Sequence, residues 1–269
     1  MPELPEVETT VRGIAPYLSN QKIERFIVRN HQLRWPVAEE TANLQGQHIK
    51  TVSRRAKYIL MQLDQGALIW HLGMTGSMKI RPVGSPIENH EHVEVQLASG
   101  QSLKFRDPRR FGALLYTATE PLQHRLLKKL GPEPLSDDFD VEYLYGACRK
   151  RSASIKSVIM DSHRVVGVGN IYASEALFSA GINPARTAGS ISKKRIGRLV
   201  GAIKHTLQAA ILQGGTTLQD FTQVDGKPGY FGQHLNVYGI KQGCPVCATA
   251  IKKIIQAQRS SYFCPRCQT

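Results

Sequence analysis

The chain opens Met1-Pro2-Glu3-Leu4-Pro5-Glu6-Val7-Glu8. A small residue behind an initiator methionine permits removal of that methionine, which would leave Pro2 with a free secondary amine. An α-amino group has a pKa of about 7.7–8.0, against about 10.4 for lysine, so more of it is neutral near pH 7. A neutral amine can attack an electrophilic carbon and form a cationic iminium, which is covalent catalysis by an amine. The carboxylates of Glu3, Glu6 and Glu8 lie within reach of that amine along the chain. The same letters also describe an ordinary helix start, because Met-Pro is common and acidic side chains favour a first helical turn. Taken alone, the stretch favours that plainer reading.

A second chemical pattern lies at the other end. Cys244-x2-Cys247 and Cys264-x2-Cys267 are separated by sixteen residues. Thiolate pairs at this spacing read as a tetrahedral structural Zn2+ site. Four thiolates close the coordination sphere, so no position remains for activating water. Residues 249–263 would form a hairpin carrying Lys252, Lys253 and Arg259, able to deliver a basic side chain to DNA. Between the two ends, Gly167-Val168-Gly169-Asn170 would let backbone N–H groups meet a phosphate, with Asn170 as N-cap and Lys156 in reach. An ordinary helical hairpin with packing glycines is the open alternative. Asp107-Pro108-Arg109-Arg110-Phe111-Gly112 offers arginine for a phosphate or an orphaned base and phenylalanine for stacking, which suits a wedge in opened DNA. Met74 could be a second wedge, although a lone methionine is more often core. Lys57 and His90 read by themselves as surface residues.

These residues need elements to hold them. Leu4, Val7, Val11, Ile14 and Leu18 recur at three- and four-residue steps, which predicts a helix over 5–17 with one buried stripe, Pro5 in its first turn and Pro16 helping to end it. Segments 22–29, 47–54, 57–63, 67–72, 92–97, 102–106 and 113–117 read as strands. Residues 64–66 and 98–100 look like hairpin connections. A helix is expected over 120–130, ended by the Pro- and Gly-rich stretch 131–138. Beyond it helices are expected from 141 to 148, near 155–159, over 171–180 and over 191–213. A long polar loop follows over 214–236, of the kind that is functional or disordered. The expected architecture is α+β: an N-terminal β-sandwich with a leading α-helix over 1–130, a linker at 131–138, a helix–two-turns–helix domain over 139–235 and a four-Cys zinc ribbon over 236–269.

Charge divides along the same line. Residues 1–140 hold 18 Lys and Arg against 16 Asp and Glu, whereas residues 141–269 hold 17 against 5. A basic excess confined to one half points to a polyanion, nucleic acid first. No run of 18 apolar residues exists, so no membrane span is expected. Nor does the N-terminus read as a secretory signal, which implies an intracellular, cytoplasmic protein. Five cysteines, an odd number, argue against a disulfide framework there. Cys148 reads as a helical core thiol. A monomer is the expected state.

Taken together the chain resembles the formamidopyrimidine-DNA glycosylase family of bacterial base-excision enzymes. The matching stretches are 2–9, Arg54-Arg55-Ala56-Lys57-Tyr58, His71-Leu72-Gly73-Met74, 107–112, Gly131-Pro132-Glu133-Pro134-Leu135, Gly167–Ala173, 225–231 and the zinc ribbon, in order along essentially the whole chain. The resemblance implies a partner, damaged double-stranded DNA, and a set of roles. Pro2 would attack C1′ of the damaged nucleotide and form a Schiff base after the base leaves, and Glu3 would donate a proton that helps open the sugar. Lys57 would serve β-elimination and Arg259 δ-elimination. His90, Arg109 and Lys150 would bind DNA, and Lys156 and Asn170 would hold the phosphate beside the lesion. Met74, Arg109 and Phe111 would fill the gap left by base flipping. The loop at about 216–230 would cover the extruded base. The nearest rival is the related endonuclease VIII type, with the same amine chemistry on oxidised pyrimidines. A zinc-ribbon protein that only grips damaged DNA would explain the charge and the cysteines, but would leave the Pro2-Glu3 start without a purpose.

Overall fold

A computed structural model describes residues 1–217, 224–240 and 242–269. It divides into two compact units, one of residues 1–129 with 213–230, the other of residues 130–212 with 231–269. Among the described residues no helix is long and apolar enough to cross a membrane.

The first unit begins with α1 (Leu4–Leu18). Leu4, Val7, Val11, Ile14 and Leu18 are all buried, so the periodic stripe is the packed face, and it lies on β2 and β5. Each such side chain contributes roughly 1.5–3 kcal/mol by leaving water, which anchors the helix and with it the N-terminal residues before its first turn. Pro16 does not end the helix. It sits in the last turn, and the closing bond is made by the Ser19 N–H to the Ala15 carbonyl.

Eight strands follow: β1 (Gln21–Val28), β2 (His48–Arg55), β3 (Tyr58–Leu63), β4 (Ala67–His71), β5 (Ser77–Pro82), β6 (Glu91–Leu97), β7 (Gln101–Arg106) and β8 (Ala113–Thr117). Their order is β5-β7-β6-β1-β2-β3-β4-β8, antiparallel throughout. β1 joins two layers. Gln21 and Lys22 pair with β2, whereas Ile23 and Arg25 to Val28 pair with β6, with a register shift between Ile23 and Arg25. Such a shift bends a strand and lets one sheet fold into a sandwich. Met61, Leu68 and Trp70 from one layer and Met78, Val95 and Phe105 from the other share one buried cluster with α1. The Trp70 and Phe105 rings meet edge to face at 5.3 Å.

β5 was not expected from the sequence. It lies at the sheet edge and ends in proline, which an edge tolerates because its outer N–H groups face no partner strand. The helix expected over 120–130 is also absent. A three-residue 3₁₀ turn, Pro121–Gln123, and a run of turns take its place. Leu127 is buried there, but Leu122 is exposed, so the apolar residues do not form one helical face.

The second unit is helical: α2 (Val141–Cys148), α3 (Ile155–Ile159), α4 (Asn170–Ser179) and α5 (Lys193–Leu212). α4 is buried on nearly every side, and Gly181 beyond it has φ +67, the left-handed cap a helix end favours. Residues 131–138 pack against this unit. The Gly131 N–H donates to the Ser162 carbonyl at 2.8 Å, and Lys204 Nζ donates to the Ser136 carbonyl at 2.8 Å. At the C-terminus β9 (Lys252–Gln256) and β10 (Arg259–Phe263) form an antiparallel hairpin turned by Ala257 and Gln258, both at positive φ.

Candidate active site and nucleic-acid-binding residues

Pro2 is buried directly before the N-cap of α1, which is Glu3. The Glu3 N–H donates to the Glu6 carboxylate at 2.7 Å. The other Glu6 oxygen accepts the Thr216 N–H at 2.8 Å. Glu6 therefore ties the helix start to the segment 213–230, whose ends are further joined by Gly229 N–H to Thr217 Oγ1 at 2.8 Å and Tyr230 N–H to the Gln213 carbonyl at 2.9 Å. The middle of the loop expected to cover an extruded base, 218–223, lies outside the described residues.

Glu8 is committed elsewhere. It accepts from Arg54 Nε at 2.7 Å and from Arg12 Nε at 2.8 Å. Burial alone would raise its pKa, but these two guanidinium hydrogen bonds outweigh it and hold the carboxyl below its ordinary range. Arg54 also donates to the Ala56 carbonyl at 3.0 Å. Ala56 sits at φ 55 in the two-residue turn between β2 and β3, and Lys57 is its neighbour in that turn. The Glu8–Arg54 pair thus fixes the turn that presents Lys57.

A pocket of ≈ 730 Å³ lies in the same unit, lined by Met1, Gln32, Leu33, Arg34, His71, Gly73, Met74, Arg109, Arg110 and Phe111. It brings together the three expected wedge residues. Met74 and Phe111 are 39% and 45% exposed, and the Arg109 guanidinium stacks 4.8 Å from the Phe111 ring centre. Apolar side chains held in water at a pocket mouth suit a surface that stacks on a ligand. Gly73 makes the arrangement possible. It has φ +65, and a Cβ there would lie 2.4 Å from the Gly112 nitrogen. His90 is exposed at φ 69 just before β6.

His71, which residue-by-residue reading gave no role, also faces this pocket. Its Nδ1 accepts the Gly73 N–H at 3.0 Å, so a neutral ring carries its proton on Nε2. Burial first, then the charges of Lys57 and Arg34, push its pKa down to about 4. Between that value and the unfolded value near 6.5 the unfolded chain binds the extra proton. The stability this residue confers is therefore complete above about pH 6.5 and lost as pH falls toward about 4. In an NMR titration the His71 ring signals should stay at their neutral positions down to about pH 5. A midpoint near 6.5 would show that the ring is not held neutral.

In the second unit Lys156 is 2% exposed. Its Nζ donates to Asn170 Oδ1 at 2.7 Å, Ser261 Oγ at 2.8 Å and the Ser260 carbonyl at 3.1 Å. Asn170 Nδ2 in turn donates to the Tyr238 hydroxyl at 3.2 Å, and the Tyr238 ring meets Tyr262 at 5.0 Å. Lys156 and Asn170 are brought together as expected, with the lysine also joining α3 to the β10 strand that carries Arg259. Asn170 is the first residue of α4 rather than its cap. Gly169, with an extended backbone, holds the cap position. Tyr238 is placed by Glu175 on α4, whose carboxylate accepts from the N–H groups of Asn236, Val237 and Tyr238 at 2.8–3.0 Å. Lys150 is exposed past α2 at φ 57, and Arg259 is exposed at the start of β10. Cys148 is a buried core thiol whose pKa burial pushes up to about 11.

The Sγ atoms of Cys244, Cys247, Cys264 and Cys267 all lie within 4.8 Å of one another. The Cys244–Cys267 separation is 3.8 Å, and Cys247 is 3.5 Å from both Cys264 and Cys267. Tetrahedral zinc with Zn–S of about 2.3 Å requires sulfur–sulfur edges of about 3.8 Å. The donor set fits one structural Zn2+.

Comparison with known proteins agrees with these features across the chain. Residues 1–114 match the formamidopyrimidine-DNA glycosylase N-terminal domain, residues 130–222 its H2TH domain, and residues 242–269 the zinc finger found in FPG and IleRS. The formamidopyrimidine-DNA glycosylases of Pseudomonas aeruginosa (strain LESB58) and Pseudomonas putida (strain GB-1) are 56% and 55% identical, each over 100% of both chains. A Lactococcus lactis Fpg solved with abasic-site DNA superimposes with a TM-score of 0.92 at 33% identity, covering 99% of each chain. The MutM (Fpg) protein of Thermus thermophilus gives 0.89 at 37% identity, over 99% of this chain and 98% of that one. A buried proline–glutamate start, a stacked arginine–phenylalanine pair, a helical unit and a four-thiolate ribbon thus coincide with end-to-end similarity, and the chain belongs to the formamidopyrimidine-DNA glycosylase family.

Proposed function

We propose that the protein is a base-excision repair glycosylase and AP lyase that removes oxidised purines, 8-oxoguanine and formamidopyrimidines, from duplex DNA in the bacterial cytoplasm. The observation that carries this reading is end-to-end similarity to enzymes of that name, together with a buried Pro2-Glu3 start in the unit that presents Met74, Arg109 and Phe111.

Met74 and Phe111 enter the stack and Arg109 meets the orphaned base, while the damaged nucleotide turns outward. With Met1 removed, the Pro2 nitrogen lone pair forms a bond to C1′ and the bond from C1′ to the base breaks with its electron pair on the base, which takes up, through water, the proton that the amine loses. Glu3 donates a proton to the ring oxygen, so the sugar opens to an iminium. That cation acidifies the C2′ proton. Its loss expels the 3′ phosphate by β-elimination, assisted by Lys57, and a second elimination expels the 5′ phosphate, assisted by Arg259. Water then releases the amine. Asn170 and Lys156 hold the neighbouring phosphate, and His90 and Lys150 grip the backbone. Zinc holds the ribbon in shape and takes no part in a step.

Duplexes carrying 8-oxoguanine opposite cytosine or thymine glycol opposite adenine, treated with borohydride, test the proposal. The expected result is a covalent adduct that maps to Pro2 and forms faster on the 8-oxoguanine duplex. Preference for thymine glycol would favour the pyrimidine enzyme, and absence of any adduct would leave only a DNA-binding protein.

A further inference from the structure

Asp107 follows β7 and is fully buried. A buried carboxylate must have its oxygens satisfied, and these oxygens are satisfied by the two loops that present the wedge. Oδ1 accepts the Thr75 hydroxyl at 2.6 Å, next to Met74, and Oδ2 accepts the Gly112 N–H at 2.7 Å, next to Phe111. Thr75 Oγ1 also accepts the Arg109 N–H at 3.2 Å. The backbone of Asp107 extends the set. Its N–H donates to the His90 carbonyl at 3.0 Å, and its carbonyl accepts the Arg110 N–H at 3.1 Å and lies 2.8 Å from His92 Nε2. The Gly112 carbonyl accepts the Arg34 N–H at 2.9 Å, which carries the linkage to another wall of the pocket. A Cβ at Gly112 would lie 2.9 Å from Asp107 Oδ2, so the loop is packed onto this carboxylate.

We infer that Asp107, acting through Thr75 and Gly112, is a positioning residue that locks the Met74 loop and the Arg109–Phe111 loop into one rigid wedge, so that opening of duplex DNA depends on it although it touches no nucleotide. The inference rests on the proposed function. Met74 and Phe111 stand in water rather than in a core, so their spacing is set by the backbones beneath them. Both loops are tied to the same carboxylate, one through the Thr75 hydroxyl and the other through the Gly112 N–H. Charged hydrogen bonds of this kind are stronger than neutral ones and do not swing freely.

The test separates opening from chemistry. Thr75→Val removes the hydroxyl that joins Asp107 to Arg109, Thr75→Ser keeps it, and Asp107→Asn leaves Gly112 its acceptor but turns an amide toward Thr75. Each is assayed in single turnover on a duplex with 8-oxoguanine opposite cytosine and on a single strand with an abasic site, where no stack has to be opened. Loss of one buried hydrogen bond predicts excision from the duplex about 10- to 100-fold slower in Thr75→Val and Asp107→Asn. Cleavage of the single strand should stay within about threefold of wild type, and Thr75→Ser should restore the duplex rate. A 2-aminopurine beside the lesion should brighten more slowly in Thr75→Val. Equal loss on both substrates, or no loss on the duplex, would overturn the inference. If Asp107→Asn fails to fold, the Thr75 pair decides. If the wild type cleaves neither substrate the glycosylase reading fails, and the 2-aminopurine signal alone then decides whether the wedge depends on Thr75 and Asp107.

Discussion

Chains from which Met1 has been removed should form a borohydride-trapped adduct with abasic-site DNA, and chains that keep Met1 should form none. With Met1 attached, the Pro2 nitrogen is a tertiary amide. Its lone pair is delocalised into the carbonyl, as the planarity of the peptide bond requires. It cannot become an iminium. Removing the group that forms a covalent intermediate should lower strand cleavage by at least about 10³-fold. Met1 is half exposed in the pocket wall whereas Pro2 is buried, so an attached methionine would also occupy space beside the wedge. Separating the two forms, weighing each intact and assaying both checks this. Full cleavage by a fraction that retains Met1 would remove Pro2 from the mechanism.

Loss of zinc should have the second large effect. The ribbon has little apolar core of its own. Val246 and Ile255 are mostly exposed, and its buried residues are chiefly Phe263, Cys244 and Cys264. Structural zinc supplies on the order of 10–16 kcal/mol in small ribbons, which few buried side chains can replace. We expect Cys247→Ala to bind no zinc and to lose DNA affinity by at least about 100-fold, because the β9–β10 hairpin carrying Lys252, Lys253 and Arg259 would no longer be held. Among the described residues the buried members of the helical core run from Phe139 to Phe231, with Tyr238 packed against them from the start of the ribbon, so this core should persist and far-UV circular dichroism should fall only slightly. Metal analysis, DNA titration and the spectrum together check the prediction. A variant that binds DNA normally without zinc would show that the ribbon folds unaided.

Pro2 and its carboxylates show how local and distant information divide. Read alone, the stretch 1–8 was a helix start, and the structure bears out that part, with Glu3 as N-cap and Pro5 in the first turn. Its chemical promise came from matches far along the chain. The three carboxylates proved to differ. Glu6 binds Thr216 across 210 residues of sequence, and Glu8 binds Arg54 across 46. Glu3, the N-cap residue directly after Pro2, is the proposed acid.

What the sequence determined by itself was set by local physics. The 3.6-residue stripe of α1 and the short β-branched or alternating runs that mark seven of the first unit's eight strands each depend on residues a few positions apart. So does the thiol spacing within each cysteine pair. β5 and the segment 120–130 escaped because an edge strand ending in proline and a partly buried run of turns carry weak periodicity. Only the tertiary structure decided the rest. Asp107 reads as one acid in a loop until Thr75 and Gly112 close on it, and Lys156 reads as a lysine within reach of a phosphate until Ser260 and Ser261 arrive from more than a hundred residues away. A buried charge is tolerated only when folding brings partners to every oxygen or proton it carries. Those partners come from other elements, so no window of sequence around the residue contains them.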